Sequence, residues 1–376
     1  MQPSNNSVSS GRIRKAFQAI RFVRGVLTGD TAGAGPFYVT IDVTHRCNLR
    51  CLGCRFHSPE MKSESNDRGT QDVPYELVLR LCDQLRSVGA WRLLLIGEGE
   101  PLLHPRIIDI ISAAKAAGLE AFLITNGTLL DEKMACSLVA SGLDKIQVSL
   151  WASSPDDYQL NHPGTPATMF DRVVRGVQLL SSQKSAQGKK RPRVVLHHPI
   201  SRHDFQKVER FAELALATGC DGISFSPLFT HRGKFGAHAL TADEEVSFRR
   251  SLGHLRTWLR GRPLQHNIDD LMRRYDAGST VWNAFPCYIG WIDARVKPNG
   301  DVAPCNPCDL TMGNLHANSL QEIWNGPAYR EFRRRTLTRE GIEDLAARCD
   351  CEFCCHLTAN RRLHPVFRTL APFMHR

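Results

Sequence analysis

Short apolar runs alternate along the chain with stretches whose apolar positions recur every three to four residues. The runs at Tyr38–Val43, Arg92–Ile96, Ala121–Thr125, Lys145–Leu150, Arg193–His197 and Gly222–Phe225 predict strands. Between them, Val73–Val88, Arg106–Ala117, Asp131–Ser141, Phe170–Ser182 and Phe205–Thr218 carry helical periodicity. Gly118, Gly142 and Gly219 close three of these helices, where a left-handed cap suits glycine. Repeated strand–helix units of this length predict a parallel sheet with helices outside it. Six units suit an open barrel better than a closed eight-unit one. The expected fold class is α/β, a partial (β/α)6 TIM-like barrel followed by a C-terminal cysteine-rich domain.

Upstream of the first strand, about Gly11 to Leu27 reads as a basic amphipathic helix. Ile13, Phe17, Ile20 and Leu27 recur at helical spacing, with Arg12, Arg14, Lys15, Arg21 and Arg24 between them. Docking on its own domain is the expected use, with a membrane surface or a partner as the alternative. Thr28–Gly35 is a Gly/Ala-rich connector, and Ser182–Pro192 is expected to be a surface loop. His231–Ala284 is polar and mainly helical, and from Phe285 the texture changes to short strands, turns and cysteines. The organisation expected is a basic amphipathic segment (1–35), a core (36–228), a helical connector (229–284), a cysteine-rich domain (285–358) and a basic tail (359–376). In the tail, Leu363, Val366, Phe367, Leu370 and Phe373 are expected to pack on the protein or a partner, beside Arg361, Arg362, Arg368 and Arg376. No internal repeat is visible.

Composition changes this picture in two ways. The 376 residues are 42% hydrophobic and 23% charged, an ordinary globular balance. No apolar run reaches the roughly 18 residues that span a bilayer. Met1–Ser10 has no apolar core or cleavage site, so a cytoplasmic protein is expected. The formal charge of +10 permits an acidic partner, such as nucleic acid, an anionic membrane or an acidic peptide. A solvated basic surface is the plain alternative. Thirteen cysteines are the second feature. In a reducing compartment, and at an odd count, disulfides explain them poorly. Three lie between Cys47 and Cys54 and seven between Cys287 and Cys355, which points to metal or iron–sulfur ligation. Cys82, Cys136 and Cys220 stand apart and are expected to be buried structural thiols.

The segment Thr44-His-Arg-Cys47-Asn-Leu-Arg-Cys51-Leu-Gly-Cys54 holds a C-x3-C-x2-C spacing directly after the first predicted strand. Three thiolates this close can wrap one corner of an iron–sulfur cube and leave one iron open for chemistry. Zinc is the alternative, but it wants four ligands and this segment offers three. The segment, in this place, resembles the signature of the radical S-adenosylmethionine (SAM) superfamily. The resemblance implies that Cys47, Cys51 and Cys54 hold a [4Fe–4S] cluster whose open iron chelates exchangeable SAM. One electron then cleaves the sulfonium bond, and a 5′-deoxyadenosyl radical abstracts a substrate hydrogen. An electron donor such as flavodoxin or ferredoxin is implied as well.

Gly97-Glu-Gly-Glu-Pro101 resembles the family's Gly-Gly-Glu-Pro loop, which contacts the SAM amino group. Glu98 stands at the first glycine, so Gly99, Glu100 and Pro101 carry the assignment. Glycine lets the backbone come close, and a carboxylate favours an ammonium. Asn126 and Ser149 end the next two strands and resemble family positions facing SAM from the C-terminal edge of the sheet. An ordinary strand-end cap is the alternative for each. Where many members have an arginine–glycine pair, this chain has Asn161-His-Pro-Gly164. His197 and His198 end a further strand, and lining the cavity or packing in the core are both open to them. This part of the resemblance runs from about Phe37 to Pro227.

In the second group, Pro298-Asn-Gly-Asp is a tight turn that carries Cys287 and Cys305 into one neighbourhood. Gly313-Asn-Leu follows, then a helix with Ser319 as N-cap and Trp324 inside it, then Cys351-Glu-Phe-Cys354. This order is similar to the SPASM/twitch extension of many radical SAM enzymes, which implies one or two auxiliary [4Fe–4S] clusters. Cys287, Cys305, Cys351 and Cys354 complete one four-thiolate site. Cys308, Cys349 and Cys355 are surplus, three where a second cluster needs four. One auxiliary cluster is expected and a second is left open; a structural zinc ribbon also suits four thiolates.

A cluster with all four ligands cannot chelate SAM, so its expected role is to accept or conduct electrons. The resemblance implies a radical SAM enzyme, of oxidoreductase or maturase type, giving net oxidation or bond formation on a small molecule or short peptide. Peptide or protein maturation is the alternative, and an anionic or membrane-attached substrate stays open. The stretch before Phe37 is too short for a peptide-recognition module. A non-catalytic metal-cluster or nucleic-acid-binding scaffold is the competing class. Such a scaffold has no need of SAM-contacting loops, so nucleic acid is not the expected partner.

Overall fold

The computed structural model describes residues 5–61, 71–276, 285–351 and 354–370. Phe373, Arg376 and residues 277–284 of the connector lie outside them. Six parallel strands are formed by β1 (Tyr38–Asp42), β2 (Arg92–Ile96), β3 (Glu120–Thr125), β4 (Lys145–Ser149), β5 (Arg193–Ile200) and β6 (Gly222–Pro227). The helices α2 (Tyr75–Val88), α3 (Ile107–Ala116), α4 (Glu132–Ala140), α6 (Thr168–Ala186) and α7 (Val208–Ala217) connect them, as the periodicity predicts. Gly118, Gly142 and Gly219 end their helices at φ of 77°, 79° and 68°, the left-handed cap that the sequence places there.

Val39, Ile41, Leu93, Leu95, Ala121, Leu123, Ile146 and Val148 are fully buried between sheet and helices. Each contributes about 1.5–3 kcal/mol on burial of a large side chain, less for alanine. The alternate positions Leu94, Ile96, Phe122, Ile124, Gln147, Ser149, His197 and Ser224 are only half-buried. They line the inside of the barrel, and a packed centre would have buried them too. The barrel strands run in the order β6-β5-β4-β3-β2-β1, and β6 does not pair with β1, so the barrel is open.

The last three strands, β7 (Asp293–Val296), β8 (Asp301–Ala303) and β9 (Gly313–Asn314), belong to the cysteine-rich region. β7 pairs in parallel with β1, Tyr38 opposite Asp293, so this region extends the barrel's own sheet. Helices α8 (Ala242–Trp258) and α9 (Ile268–Asp276) form the connector. α10 (Leu320–Trp324), α11 (Pro327–Thr336), α12 (Arg339–Cys349) and α13 (Leu357–Leu370) complete the C-terminal part. Ser319 caps α10 through a reciprocal bond pair with Glu322.

Three expectations need correction, and one helix was not expected. The helix α1 (Asn5–Thr28) docks on the barrel, but through Gln18, Phe22 and Val26, while Phe17 and Ile20 stand 64% and 66% exposed. The reason is the connector beneath: Gly33 passes so near that a β-carbon on it would lie 2.4 Å from the Arg21 oxygen, and this fixes the helix's rotation. α6 continues through Ser182 to Ala186, because Lys184 is buried in an ion pair with Asp221 that anchors its last turn. A short helix, α5 (Pro155–Asn161), fills the stretch after β4; Ser154 as cap, proline at the first turn and two acids were its signal. Cys136 is exposed on α4, not buried, whereas Cys82 and Cys220 are buried as expected.

Candidate active site

The strand β1 ends where its loop can only be held by neighbours. Gly99 N donates to Thr44 O at 3.0 Å and Glu100 N to Arg46 O at 2.7 Å, which stitches the loop after β2 to the cysteine loop. A β-carbon on Gly99 would fall 2.0 Å from Arg46 O, so glycine is required for this close approach. Arg46 is itself clamped by Asp72, Nε at 3.0 Å and Nη2 at 2.7 Å. On the other side, Leu52 N donates to Asn161 O at 2.9 Å. Cys47, Cys51 and Cys54 therefore sit on one braced loop, half-buried. Burial pushes the Cys47 thiol up to about 12, and Cys51 and Cys54 also upward, with the charges of the other thiols adding to the rise at Cys47 and Cys51. Packed thiols that resist ionising alone fit a site whose iron supplies the missing positive charge.

Glu100 is buried and accepts three hydrogen bonds: Leu102 N at 2.9 Å, Thr125 Oγ1 at 2.5 Å and Asn126 N at 2.6 Å. Burial raises it to about 6 against those donors. Its carboxylate thus ties the end of β3 to the loop after β2, and Pro101 starts the short turn that it caps. Asn126 Nδ2 donates to Asn48 Oδ1 at 2.9 Å, and Asn48 Nδ2 to Thr128 Oγ1 at 2.8 Å, so the cysteine loop and the end of β3 are directly joined. Asn48 was not singled out from the sequence; its place inside C-x3-C was the only hint. Gly99, Glu100, Pro101 and Asn126 are brought together with the cysteine triad. Ser149 lies further along the inner face, opposite His197 in register.

The two adjacent histidines have opposite fates. His197 is on the inner face, its Nδ1 at 3.0 Å from Ser224 Oγ and its Nε2 at 3.3 Å from Ser226 Oγ. Burial lowers it to about 4, so it is a neutral polar group at pH 7. His198 points outward and stacks on Phe211 at 4.1 Å.

Glu98, the departure from the glycine pattern, has a partner from far away in the chain. Arg295 on β7 donates through Nε to Asp42 Oδ2 at 2.6 Å and through Nη2 to Glu98 Oε1 at 3.2 Å. His45 Nε2 lies 3.6 Å from Glu98 Oε2. Arg295 Nη1 also donates to Asn306 O at 2.5 Å, just after Cys305. A second bridge joins Arg55, next to Cys54, with Asp309 at 2.9 Å, and Asp309 with Arg232 at 2.8 Å. The two cysteine regions are therefore tied by buried and half-buried ion pairs.

In the C-terminal region a small apolar-walled cavity of about 20 Å3 is lined by Cys287, Cys305, Cys351 and Cys354, together with Cys349 and His356. All four of the first-named thiols are raised, burial first; Cys305 also feels Cys287, Cys351 and Cys354, and Cys354 feels Cys287 and Cys351. This crowding of thiols fits a four-thiolate cluster site. Cys355, surplus by sequence count, acts electrostatically on all four. Cys308 and Cys349 are instead bonded to each other.

With this geometry in hand, comparisons with known proteins agree. The Radical SAM superfamily model matches residues 41–233, and an iron–sulfur cluster-binding domain, SPASM, matches residues 287–355. A PqqA peptide cyclase of Xanthomonas campestris pv. campestris is 26% identical over 310 residues, covering 79% of this chain and 76% of that one. An AdoMet-dependent heme synthase of Methanosarcina barkeri is 24% identical over 338 residues, covering 85% and 89%. Streptococcus suis SuiB bound to the precursor peptide SuiA superposes with a TM-score of 0.63 at 16% identity, over 86% of this chain and 72% of that one. The structure of anSMEcpe with bound AdoMet superposes with a TM-score of 0.61 at 17% identity, over 81% and 84%.

Proposed function

We propose, from the premise that the chain belongs to the radical SAM superfamily and carries a SPASM domain, that it oxidises or crosslinks a peptide laid into its open barrel. It is a radical SAM enzyme that uses a [4Fe–4S] cluster, SAM and an auxiliary iron–sulfur cluster. The SAM cluster, when bound, supplies the electron that splits the sulfonium and so provides the hydrogen-abstracting radical. Cys47, Cys51 and Cys54 would hold it, and Cys287, Cys305, Cys351 and Cys354 would hold the auxiliary cluster. Glu100, Gly99 and Asn126 shape the floor on which SAM lies. Gln147, Ser149, His197 and Ser224 present neutral polar groups along the barrel wall, suited to amide hydrogen bonds.

The observation that carries the peptide reading is the unclosed sheet with a half-buried inner face, apolar over β2 and β3 and polar over β4 to β6. An open side admits a chain that continues beyond the reacting residue, where a closed barrel would not. The peptide cyclase likeness supports the same reading. The heme synthase likeness supports a second one, a small-molecule substrate. The electron donor in this reading is a flavodoxin or ferredoxin.

Anaerobic turnover of reconstituted protein with SAM, reductant and the short peptides encoded beside its gene tests this. The expected product has lost two hydrogens, in step with the 5′-deoxyadenosine formed. Unchanged peptides, alongside conversion of a small molecule under the same conditions, would sink the peptide reading.

A further inference from the structure

The chain after β4 is fastened to the cysteine loop. Asn161, which accepts from Leu52 N, sends its own Nδ2 back to Trp151 O at 2.7 Å. Trp151 holds a φ of 54°, and its ring reaches the loop, with Cη2 at 3.6 Å from where a β-carbon of Gly53 would lie. Tyr158 precedes Asn161 by three residues on α5, so both face the same side. Its ring is fixed, stacked on His162 at 4.1 Å and edge-on to Phe170 at 6.3 Å. Tyr158 is fully buried, and its hydroxyl has no hydrogen-bond partner among the described residues. The charged groups it senses are Cys51, Glu100 and Cys47. The hydroxyl thus lies buried and unpartnered one turn before the point where α5 is bonded to the cysteine loop. A buried hydroxyl left without an acceptor is destabilising. An acceptor that arrives with the cofactor removes that cost.

We propose that Tyr158 donates a hydrogen bond to an anionic sulfur of the SAM cluster, on its Cys47–Cys51 side, and thereby raises the cluster's reduction potential. The inference rests on the assignment of that cluster to Cys47, Cys51 and Cys54. Hydrogen bonds to the sulfurs are among the levers that set such potentials. The reduced cluster carries one more negative charge, so a donor stabilises it more than the oxidised one. The bond needs no oxidant or proton transfer; the hydroxyl hydrogen stays on oxygen.

Tyr158→Phe keeps the ring and its stacking and deletes only the oxygen. The reconstituted full chain is titrated with reductant without SAM and read by electron paramagnetic resonance, with the auxiliary cluster as internal reference. The expected result is about a tenfold lower ratio of reduced to oxidised SAM cluster at a fixed poise, or about 59 mV for a one-electron couple. The auxiliary signal stays in place. Site-specific 3-fluorotyrosine at 158, a stronger donor that keeps the whole side chain, shifts the ratio the other way; it decides the matter if the phenylalanine variant loses iron. An unchanged potential and spectrum in both variants overturns the proposal. So does an effect confined to SAM affinity, which would place the bond on the SAM carboxylate. Failure of the underlying assignment looks different: Cys47→Ala would then keep the SAM-cluster signal.

Discussion

The loop of Cys47, Cys51 and Cys54 and the group of Cys287, Cys305, Cys351 and Cys354 each gather thiols for an iron–sulfur cube, but from different sources of order. The first is contiguous in the chain, and backbone bonds from the loop after β2 and from α5 brace it. The second draws on the approach to β7, the end of β8 and the junction of α12 with α13, so it exists only when those pieces are assembled. A contiguous site can fail while the fold survives. An assembled site is part of what holds its surroundings together.

The sharpest way to break this contrast is Cys47→Ala. SAM cleavage, followed as 5′-deoxyadenosine, is expected to fall at least about a thousandfold, as loss of a group acting in a catalytic unit does. Thermal stability should move by less than about 1 kcal/mol. Persistent cleavage would end the assignment. Cys305→Ser should do the reverse. Iron quantitation should show the auxiliary share missing while the SAM-cluster signal remains. Unfolding should be easier by about 3 kcal/mol or more, since the metal's binding energy is folding energy in an assembled site. Equal stability losses in the two variants would erase the distinction.

The contrast also explains what could be read in advance. Strand and helix positions follow from periodicity, because the outer face of every barrel strand must be buried. The triad was legible because its spacing and its preceding strand lie in one segment. Arg295 was not, since its partner Asp42 is 253 residues away and nothing local marks either as half of a pair. Glu98 looked like a lapse from a glycine pattern, and only the arrival of β7 beside β1 gives it a purpose. On α1 the spacing of Phe17 and Ile20 suggested a docking face, but the close passage of Gly33 set the rotation and buried Gln18, Phe22 and Val26. Tertiary contact overrode periodicity there.

Arg295 is where the two sites meet, and removing it tests whether they are independent. Arg295→Met leaves Asp42 and Glu98 buried without their cation, a change that costs about 3–5 kcal/mol. Burial already raises Asp42, so the loss should be felt as reluctance to fold with both acids charged. Denaturant unfolding of the reconstituted protein measures it. Adding Glu98→Gln should restore part of the loss, because one buried charge that has lost its guanidinium is gone. If Arg295→Met disturbs only the auxiliary spectrum and not that of the SAM cluster, the two sites are less coupled than their shared ion pairs imply.

The smallest effect concerns the spare thiols, and it sharpens the comparison on the assembled side alone. Cys355 acts on all four auxiliary thiols, whereas Cys308 and Cys349 are occupied with each other. Cys355 is exposed and does not line the cavity, but it directly follows Cys354, so it is the spare thiol that can reach the site without moving packed walls such as Phe332 and Leu345. Cys355→Ser alone should therefore leave iron content within about a tenth of the parent, four ligands being enough. The same change made on top of Cys351→Ser should remove the auxiliary signal that Cys351→Ser by itself only weakens. Cys308→Ser in that background should not. An assembled site with a neighbour in reserve tolerates single losses; the contiguous triad, with no fourth thiol on its loop, does not.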